Sequence, residues 1–169
     1  TVQEVIIQGN KKTKTSYINL LVELRVGQEL DSLLMERDIV RLIRETGIAH
    51  AYYQVSNDGL VTKVVYGGAE NFTITPSFNF FTTDEDEVAY RLGVAEFNGL
   101  GRGLGIGAFF QRDIFNSYAV NFRAPALLNR KIGLAASYQN LTTEEPVFFD
   151  NTTANYKYNN RSLELLGLF

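Results

Sequence analysis

The segment FNGLGRGLGIGAFF at residues 97–110 has a glycine spacing with which proteins bind phosphate. Gly103, Gly105 and Ala108 match the glycine positions of a dinucleotide-binding fingerprint. That chemistry requires a helix after the glycines, so that the helix N-terminus meets the anion. The alternating segment FFQRDIFNSYAVNF follows instead, and no Lys-Ser or Lys-Thr dipeptide completes a phosphate loop. We therefore interpret Gly103, Gly105 and Gly107 as a stripe on one face of a strand, where another segment can approach closely.

Other residues with catalytic or metal-binding potential are few. His50 is the only histidine and cysteine is absent, so no familiar zinc or Cys-His site can be assembled. The run TTDEDE at residues 82–87 is typical of a solvated turn, since it lacks the spaced, glycine-containing ligand loop of a calcium site. The sequence predicts no catalytic residue, no cofactor and no metal, and hence a protein that is not an enzyme.

Charge and hydropathy exclude two further classes. The 169 residues include 16 Lys and Arg against 19 Asp and Glu, a net charge of −3, which argues against a nucleic-acid partner. Apolar residues are scattered singly and never form the run of about 20 that a membrane-spanning helix needs. The first ten residues lack the basic flank and apolar core of a signal peptide, which leaves export open.

Residues 1 to about 66 show the pattern of a β-α-α-β-β unit. A short strand, EVIIQGN, is followed by two helical segments and then by two strands that Asp58-Gly59 joins as a hairpin. Thr13 or Thr15 is a suitable N-cap for the first helix, and Asp31 or Ser32 for the second. Gly47 is placed to end the second helix. We expect a mixed three-stranded sheet with both helices on one face, able to fold alone.

From about Phe72 the apolar period becomes two, which predicts an antiparallel meander of about six strands. The expected connections are TTDED, NGLGRG, QRDIFN, APALLNR and a long polar stretch at residues 141–154. Such alternation gives each strand one apolar face, as in a membrane barrel. The predicted lipid-facing residues are Leu92, Val94, Leu104, Ile106, Val120, Phe122, Leu134 and Ala136, and the predicted lumen-facing residues are Arg91, Asn121, Arg123, Ser137 and Gln139.

The order of these segments resembles the BamA-type outer-membrane assembly and translocation superfamily. VIIQGNKKTKTSYI and VGQELDSLLMERDIVRLIRETGIAHAYYQV look like a POTRA domain, the polypeptide-transport-associated module. YRLGVAEFNGLGRGLGIGAFF is similar to the first barrel hairpin, with its N-x-x-G-x-G turn, and VNFRAPALLNRKIGLAASY to the next, with Pro125 in the turn. The resemblance implies an α+β POTRA domain at residues 1–67 and an N-terminal part of a transmembrane β-barrel at residues 68–169.

Two departures from the family pattern bear on this interpretation. A Glu usually closes the last POTRA strand, whereas here Gly67-Gly68 intervene and delay the acid to Glu70. The family barrel has about sixteen strands and the smallest membrane barrels about eight, more than the six expected here. We expect a portion of a longer protein. The alternative is a miniature family member in which Phe169 is the C-terminal aromatic residue.

The resemblance implies a non-enzymatic component for outer-membrane protein assembly, insertion or translocation. Its partners would be unfolded outer-membrane or secreted polypeptides, outer-membrane lipid and accessory lipoproteins, and its N-terminal domain would lie in the periplasm. An exposed sheet edge can bind an incoming strand through main-chain hydrogen bonds without reading its sequence. The expected client-binding residues lie in two stretches, namely Tyr52, Tyr53, Gln54 and Val55, and then Phe72, Ile74, Phe78 and Phe80 of the first barrel strand at residues 72–80.

Two other functions use the same sequence features. The first is a dedicated secretion pore, or a barrel anchor for a passenger domain, built from the same modules. The second is a soluble β-sandwich of a structural or adhesive protein, in which the alternating apolar face forms a core.

Overall fold

A computed structural model describes residues 1–82, 88–129, 131–150 and 152–169. Most of the acidic run at residues 82–87 lies outside this part of the chain, and the turn predicted there is outside the described residues. The elements in chain order are β1 (Glu4–Gln8), α1 (Thr15–Leu21), α2 (Ser32–Ile43), β2 (Ile48–Asn57), β3 (Thr62–Glu70), β4 (Ile74–Thr82), β5 (Val88–Gly99), β6 (Leu104–Arg112), β7 (Asn116–Asn129), β8 (Ile132–Phe149) and β9 (Thr152–Leu168).

The first five elements form the predicted β-α-α-β-β unit, called here the α/β unit (residues 1–70). Its three strands lie in the order β1-β3-β2, with β1 parallel and β2 antiparallel to β3, which confirms a mixed sheet. Both helices pack on the same face, because Tyr17 and Ile18 of α1 and Met35 of α2 share one buried cluster with Val64 and Tyr66 of β3. The boundary predicted between residues 67 and 68 stays a prediction, and β3 itself continues to Glu70.

A buried carboxylate joins the parts of this core. Asp38 of α2 has no exposed surface and accepts backbone hydrogen bonds from Glu23 (2.8 Å) and Leu24 (3.2 Å). It also accepts the Tyr66 hydroxyl at 3.0 Å and pairs with Arg41 at 2.8 Å. Every acceptor position is therefore used, as a buried charge requires.

The helix ends agree only in part with the sequence prediction. Asp31 is the N-cap of α2 and accepts the backbone N–H groups of Leu33 (2.9 Å) and Leu34 (3.2 Å), as predicted. The cap predicted for α1 is wrong, because Lys14 is its N-cap and no side chain caps it. Gly47 does not end α2 in the left-handed region, since the helix closes at Arg44 in an ordinary right-handed conformation.

The remaining strands form a six-stranded antiparallel meander in the order β4-β5-β6-β7-β8-β9, which confirms the predicted count. The predicted loop at residues 141–154 is wrong, since β8 and β9 pair without interruption from Gly133↔Leu168 to Phe149↔Thr152. Pro125 lies inside β7 at a register irregularity between Ala124 and Asn129, not in a turn. No helix within the described ranges is long and apolar enough to cross a membrane.

Strand register sorts the side chains of this sheet onto two faces. One face carries apolar residues in adjacent positions, for example Val94 beside Ala108 and Val120. The opposite face carries polar and small residues, and there Arg91 lies over the Phe109 ring at 3.6 Å. All eight residues predicted to face lipid share the first face, and all five predicted to face the lumen share the second.

Candidate functional site

The first candidate edge is strand β2, which pairs with β3 along one side only among the described residues. Tyr52 lies across the backbone of Gly67, where a Cβ would come within 2.6 Å of the ring, so the glycine makes room for the aromatic side chain. Gln54 and Val55 are exposed, whereas Tyr53 is half-buried against the core. This edge offers unpaired backbone groups beside an exposed aromatic residue.

The second candidate edge is strand β4, the first strand of the six-stranded sheet, which pairs only with β5 in the described part of the chain. Ile74, Phe78 and Phe80 lie in this strand on one face, and Phe78 and Phe80 are more than two-thirds exposed. Phe72 is not in the strand, because β4 begins only at Ile74. The reason is that Asn71 and Thr73 are held at the base of the sheet, which keeps Phe72 in the connection between the two sheets.

Seven of the eight predicted client-binding residues therefore fall on two edges, one in each sheet, whereas Phe72 lies in the connection between the sheets, and the eight are not brought together in one site. Each edge presents main-chain donors and acceptors along one side, which is the arrangement that binds an extended peptide by strand addition. His50, the only histidine, is an exposed neighbour of Tyr52, with 6.1 Å between the ring centroids. Across the described residues no cluster of acidic or histidine side chains could hold a metal ion.

A group of polar residues that the sequence analysis did not identify joins the α/β unit to the large sheet. We call this group the junction cluster; its members are Lys12, Thr13, Glu70, Thr73, Glu96 and Asn98. Thr13, Thr73 and Asn98 are at most 3% exposed. The Asn98 side-chain amide donates to the Thr13 hydroxyl at 2.9 Å across 85 positions of sequence. The N-x-x-G-x-G pattern at Asn98, the delayed acid Glu70 and the candidate cap Thr13 were noted in the sequence, but no pattern indicated that these residues meet.

Glu70 holds the loop between β1 and α1 at this junction. Its carboxylate accepts three successive backbone N–H groups, from Lys11 (3.1 Å), Lys12 (2.8 Å) and Thr13 (2.7 Å). Partial burial acts to raise the pKa of Glu70, but these hydrogen bonds outweigh it and hold the pKa below its ordinary value. Glu70 thus closes β3 and binds the loop in its charged form.

The glycine-rich turn at residues 98–103 meets the same loop. Gly101 has φ +67° and its carbonyl accepts the Lys14 backbone N–H at 2.8 Å. An added Cβ at Gly101 would come within 2.1 Å of the Lys12 carbonyl oxygen. Gly103 has φ +64° and belongs to this turn against Tyr17, so its assignment to the strand stripe is wrong. Gly105 and Gly107 do lie in β6, on the polar face.

A half-buried acid, Glu45, lies beside this turn. The Tyr17 hydroxyl donates to Glu45 at 2.8 Å, and both side chains pack against Gly103. Burial raises the pKa of Glu45 even though the hydrogen bond from Tyr17 acts in the opposite direction. Burial and the nearby carboxylate also raise the pKa of Tyr17. Burial thus disfavours the charged forms of both groups, and the hydrogen bond from Tyr17 offsets part of this effect at Glu45.

The chain folds as an antiparallel meander with one apolar face, joined at one end to a small α/β unit, and two solved structures share this fold. The structure is similar to BamA from Haemophilus ducreyi lacking POTRA domains 1–3, with TM-score 0.72 and 16% identity over 97% of this chain and 32% of that one. It is also similar to CdiB from Acinetobacter baumannii, with TM-score 0.58 and 11% identity over 97% of this chain and 33% of that one.

These likenesses show the fold of the chain, and this fold agrees with the one that the BamA-type resemblance implies. The chain spans about a third of the length of both structures. No protein-family model matches the sequence, and no curated protein matches it.

Proposed function

We propose that this chain is the periplasmic POTRA-type domain and the first strands of an outer-membrane β-barrel that assembles or translocates client polypeptides without enzymatic activity. The observation that carries the proposal is the free edge of β4, the first strand of a sheet whose fold is that of BamA. An incoming strand can extend the sheet there through main-chain hydrogen bonds.

The two faces of the sheet support an outer-membrane location. Strands β4, β5 and β6 have 9, 12 and 9 residues, close to the 9–11 that a tilted strand needs to span a bilayer. The apolar face exposes Leu92, Val94 and Ile106 by 40–52%, which suits contact with lipid. On the other face, Arg123 and Asn121 suit a water-filled lumen.

The α/β unit supports the POTRA assignment by its element order, its mixed sheet and its position at the base of β4. Its own free edge at β2 provides a second place for an extended polypeptide, with Tyr52 and Val55 as exposed side chains beside the backbone groups. We propose that clients contact β2 in the periplasm before they reach β4 in the membrane.

Site-specific photo-crosslinking to a purified, unfolded outer-membrane barrel protein tests this function. The probe is benzoylphenylalanine at Phe78 in β4 or at Tyr52 in β2, in the chain reconstituted in phospholipid vesicles. Matched controls are Phe110 in β6 and Val65 in β3, because both strands are paired on both sides. We expect client adducts at Phe78 and Tyr52 that exceed those at the controls several-fold. Equal adducts at all four positions would contradict strand addition.

The polar face of the sheet, with Asn121 and Arg123, favours a second candidate, a dedicated secretion pore. In a pore the client passes along the lumen instead of pairing with an edge. A probe at Asn121, on the polar face of β7, would then give adducts while Phe78 gives none. The third possibility, a soluble sandwich, lacks support, because the described strands β4–β9 form one sheet whose apolar residues, such as Val94 and Ile106, stay exposed.

A further inference from the structure

The register of β4 against β5 is only partly determined by the side chains of β4. All nine residues of β4 are exposed, so no buried side chain fixes its position along β5. A slip of one residue would exchange the apolar and polar faces and is excluded by the alternation. A slip of two residues keeps Phe78 and Phe80 on the apolar face, and the alternation alone does not exclude it.

Three residues at the base of β4 distinguish the observed register from a two-residue slip. We call Lys12, Thr73 and Glu96 the strand-base cluster. Thr73 precedes β4, is 2% exposed, and hydrogen-bonds through its hydroxyl to Glu96, which lies opposite the first residue of β4 in the register Ile74↔Glu96. The Thr73 carbonyl also accepts the backbone N–H of Phe97 at 3.0 Å.

Lys12 connects this cluster to the α/β unit. Its ammonium group donates to the Thr73 hydroxyl at 2.8 Å and to Glu96 at 2.7 Å. Lys12 cannot follow a moving strand, because Glu70 binds its backbone N–H and the neighbouring Thr13 is hydrogen-bonded to buried Asn98. The other oxygen of Glu96 accepts the Asn98 backbone N–H at 2.6 Å, which fixes the carboxylate as well.

We propose that Lys12, Thr73 and Glu96 are positioning residues that set the register of β4 on β5, and thereby determine which backbone groups the free β4 edge presents to an incoming strand. A two-residue slip would displace Thr73 along Glu96 by about 6.6 Å, since a strand rises about 3.3 Å per residue. All contacts of the strand-base cluster would then be lost. The link to an incoming strand rests on the proposed function, whereas the effect on register does not.

Disulfide trapping measures this register directly, since the chain has no cysteine of its own. The pair Thr75→Cys with Ala95→Cys reports the observed register, in which these residues are opposite each other. Ser77→Cys with Ala95→Cys, and Asn79→Cys with Ala89→Cys, report slips of two residues in the two directions. Diagonal positions lie about 7–8 Å apart in a correct pair, too far for a disulfide without movement.

Each cysteine pair is introduced into the full chain, into Glu96→Ala and into Lys12→Met, all assembled in phospholipid vesicles. We expect the unaltered chain to form only the 75–95 disulfide. Glu96→Ala and Lys12→Met should form a 77–95 or 79–89 disulfide in at least a tenth of the molecules. Glu4→Ala, which removes the exposed Lys63–Glu4 pair far from β4 in sequence, is the matched control and should behave like the unaltered chain.

The proposal is overturned if Glu96→Ala and Lys12→Met both form only the 75–95 disulfide. If Glu96→Ala does not assemble, the milder Lys12→Met decides, because it leaves the Thr73 and Asn98 hydrogen bonds to Glu96 in place. Failure of the proposed function has a different signature: client adducts at Phe78 would be absent in the unaltered chain while its register remains correct.

Discussion

At the scale of single residues, the described polar side chains that are buried are all hydrogen-bonded, and each has at least one partner far away in sequence. Thr13 is the clearest example. The sequence placed it as a helix cap, but its hydroxyl accepts from Asn98 and its backbone N–H binds Glu70. Local pattern cannot reveal such a role, because the partner is contributed by another element. Gly47 was misassigned for the same reason, since it allows the Asn98 side chain to approach.

Asp38→Ala should lower the free energy of unfolding of the α/β unit by about 3 kcal/mol or more, since it leaves Arg41 and the Tyr66 hydroxyl without their buried partner. Chemical denaturation of Asp38→Ala beside Glu4→Ala checks this. The exposed Glu4 pair should contribute less than about 1 kcal/mol. Similar decreases in the free energy of unfolding for Asp38→Ala and Glu4→Ala would contradict the role assigned to Asp38.

The raised pKa of Glu45 predicts a pH dependence of stability. The folded state binds the Glu45 proton more tightly than the unfolded state does, so this contribution is full below the unfolded pKa and is lost as the pH rises through the raised folded pKa. Glu45→Gln keeps an acceptor for the Tyr17 hydroxyl and removes the titration. The stability of the variant relative to the parent should therefore increase with pH across the acidic range. If the curves of unfolding free energy against pH for Glu45→Gln and for the parent are parallel, the assigned pKa shift of Glu45 is wrong.

At the scale of elements, local signals predicted most of the strands and helices. The alternation of apolar and polar residues predicted the six strands of the meander. Asp58-Gly59 closes the β2–β3 hairpin as predicted, with φ +88° at Gly59. The outer part of the β8–β9 ribbon was assigned to a loop because residues 141–154 are rich in Thr and Glu. Its strand structure comes from cross-strand pairing, for example the Tyr158 hydroxyl donating to Glu145 at 2.6 Å, which a single segment does not show.

Alanine substitutions at the glycines of the 97–110 segment should change stability differently in the turn and in strand β6. Gly101→Ala should destabilise the junction by about 1–3 kcal/mol, because the left-handed conformation is strained and the Cβ meets the Lys12 carbonyl. Gly105→Ala should be neutral or stabilising by up to about 1 kcal/mol, since its Cβ would lie 3.5 Å from Arg123 Cβ, an ordinary contact. Thermal unfolding of both variants, beside the unaltered chain, measures these changes in stability. Equal losses would mean that the turn and strand β6 do not differ as described.

At the scale of the whole molecule, the α/β unit carries the buried hydrophobic cluster and the six-stranded sheet exposes its apolar face. The unit should therefore fold by itself. A fragment of residues 1–71 keeps β3 and Glu70 whole, and we expect it to unfold cooperatively in denaturant. A fragment of residues 1–67 should be less stable, because it loses the Glu70 hydrogen bonds to the β1–α1 loop. Absence of a cooperative transition in the longer fragment would contradict an independent unit.

The central claim is that the six-stranded sheet lies in a membrane with one face on lipid. Spin labels on single cysteines at Ile106, Ala108 and Phe110, and at Gly105, Gly107 and Phe109, test it in vesicles through accessibility to oxygen and to a water-soluble nickel complex. We expect labels at the even-numbered positions to be more accessible to oxygen, and labels at the odd-numbered positions to be more accessible to the nickel complex, as the register of β6 requires. Equal access of the nickel complex to both sets would contradict the membrane account.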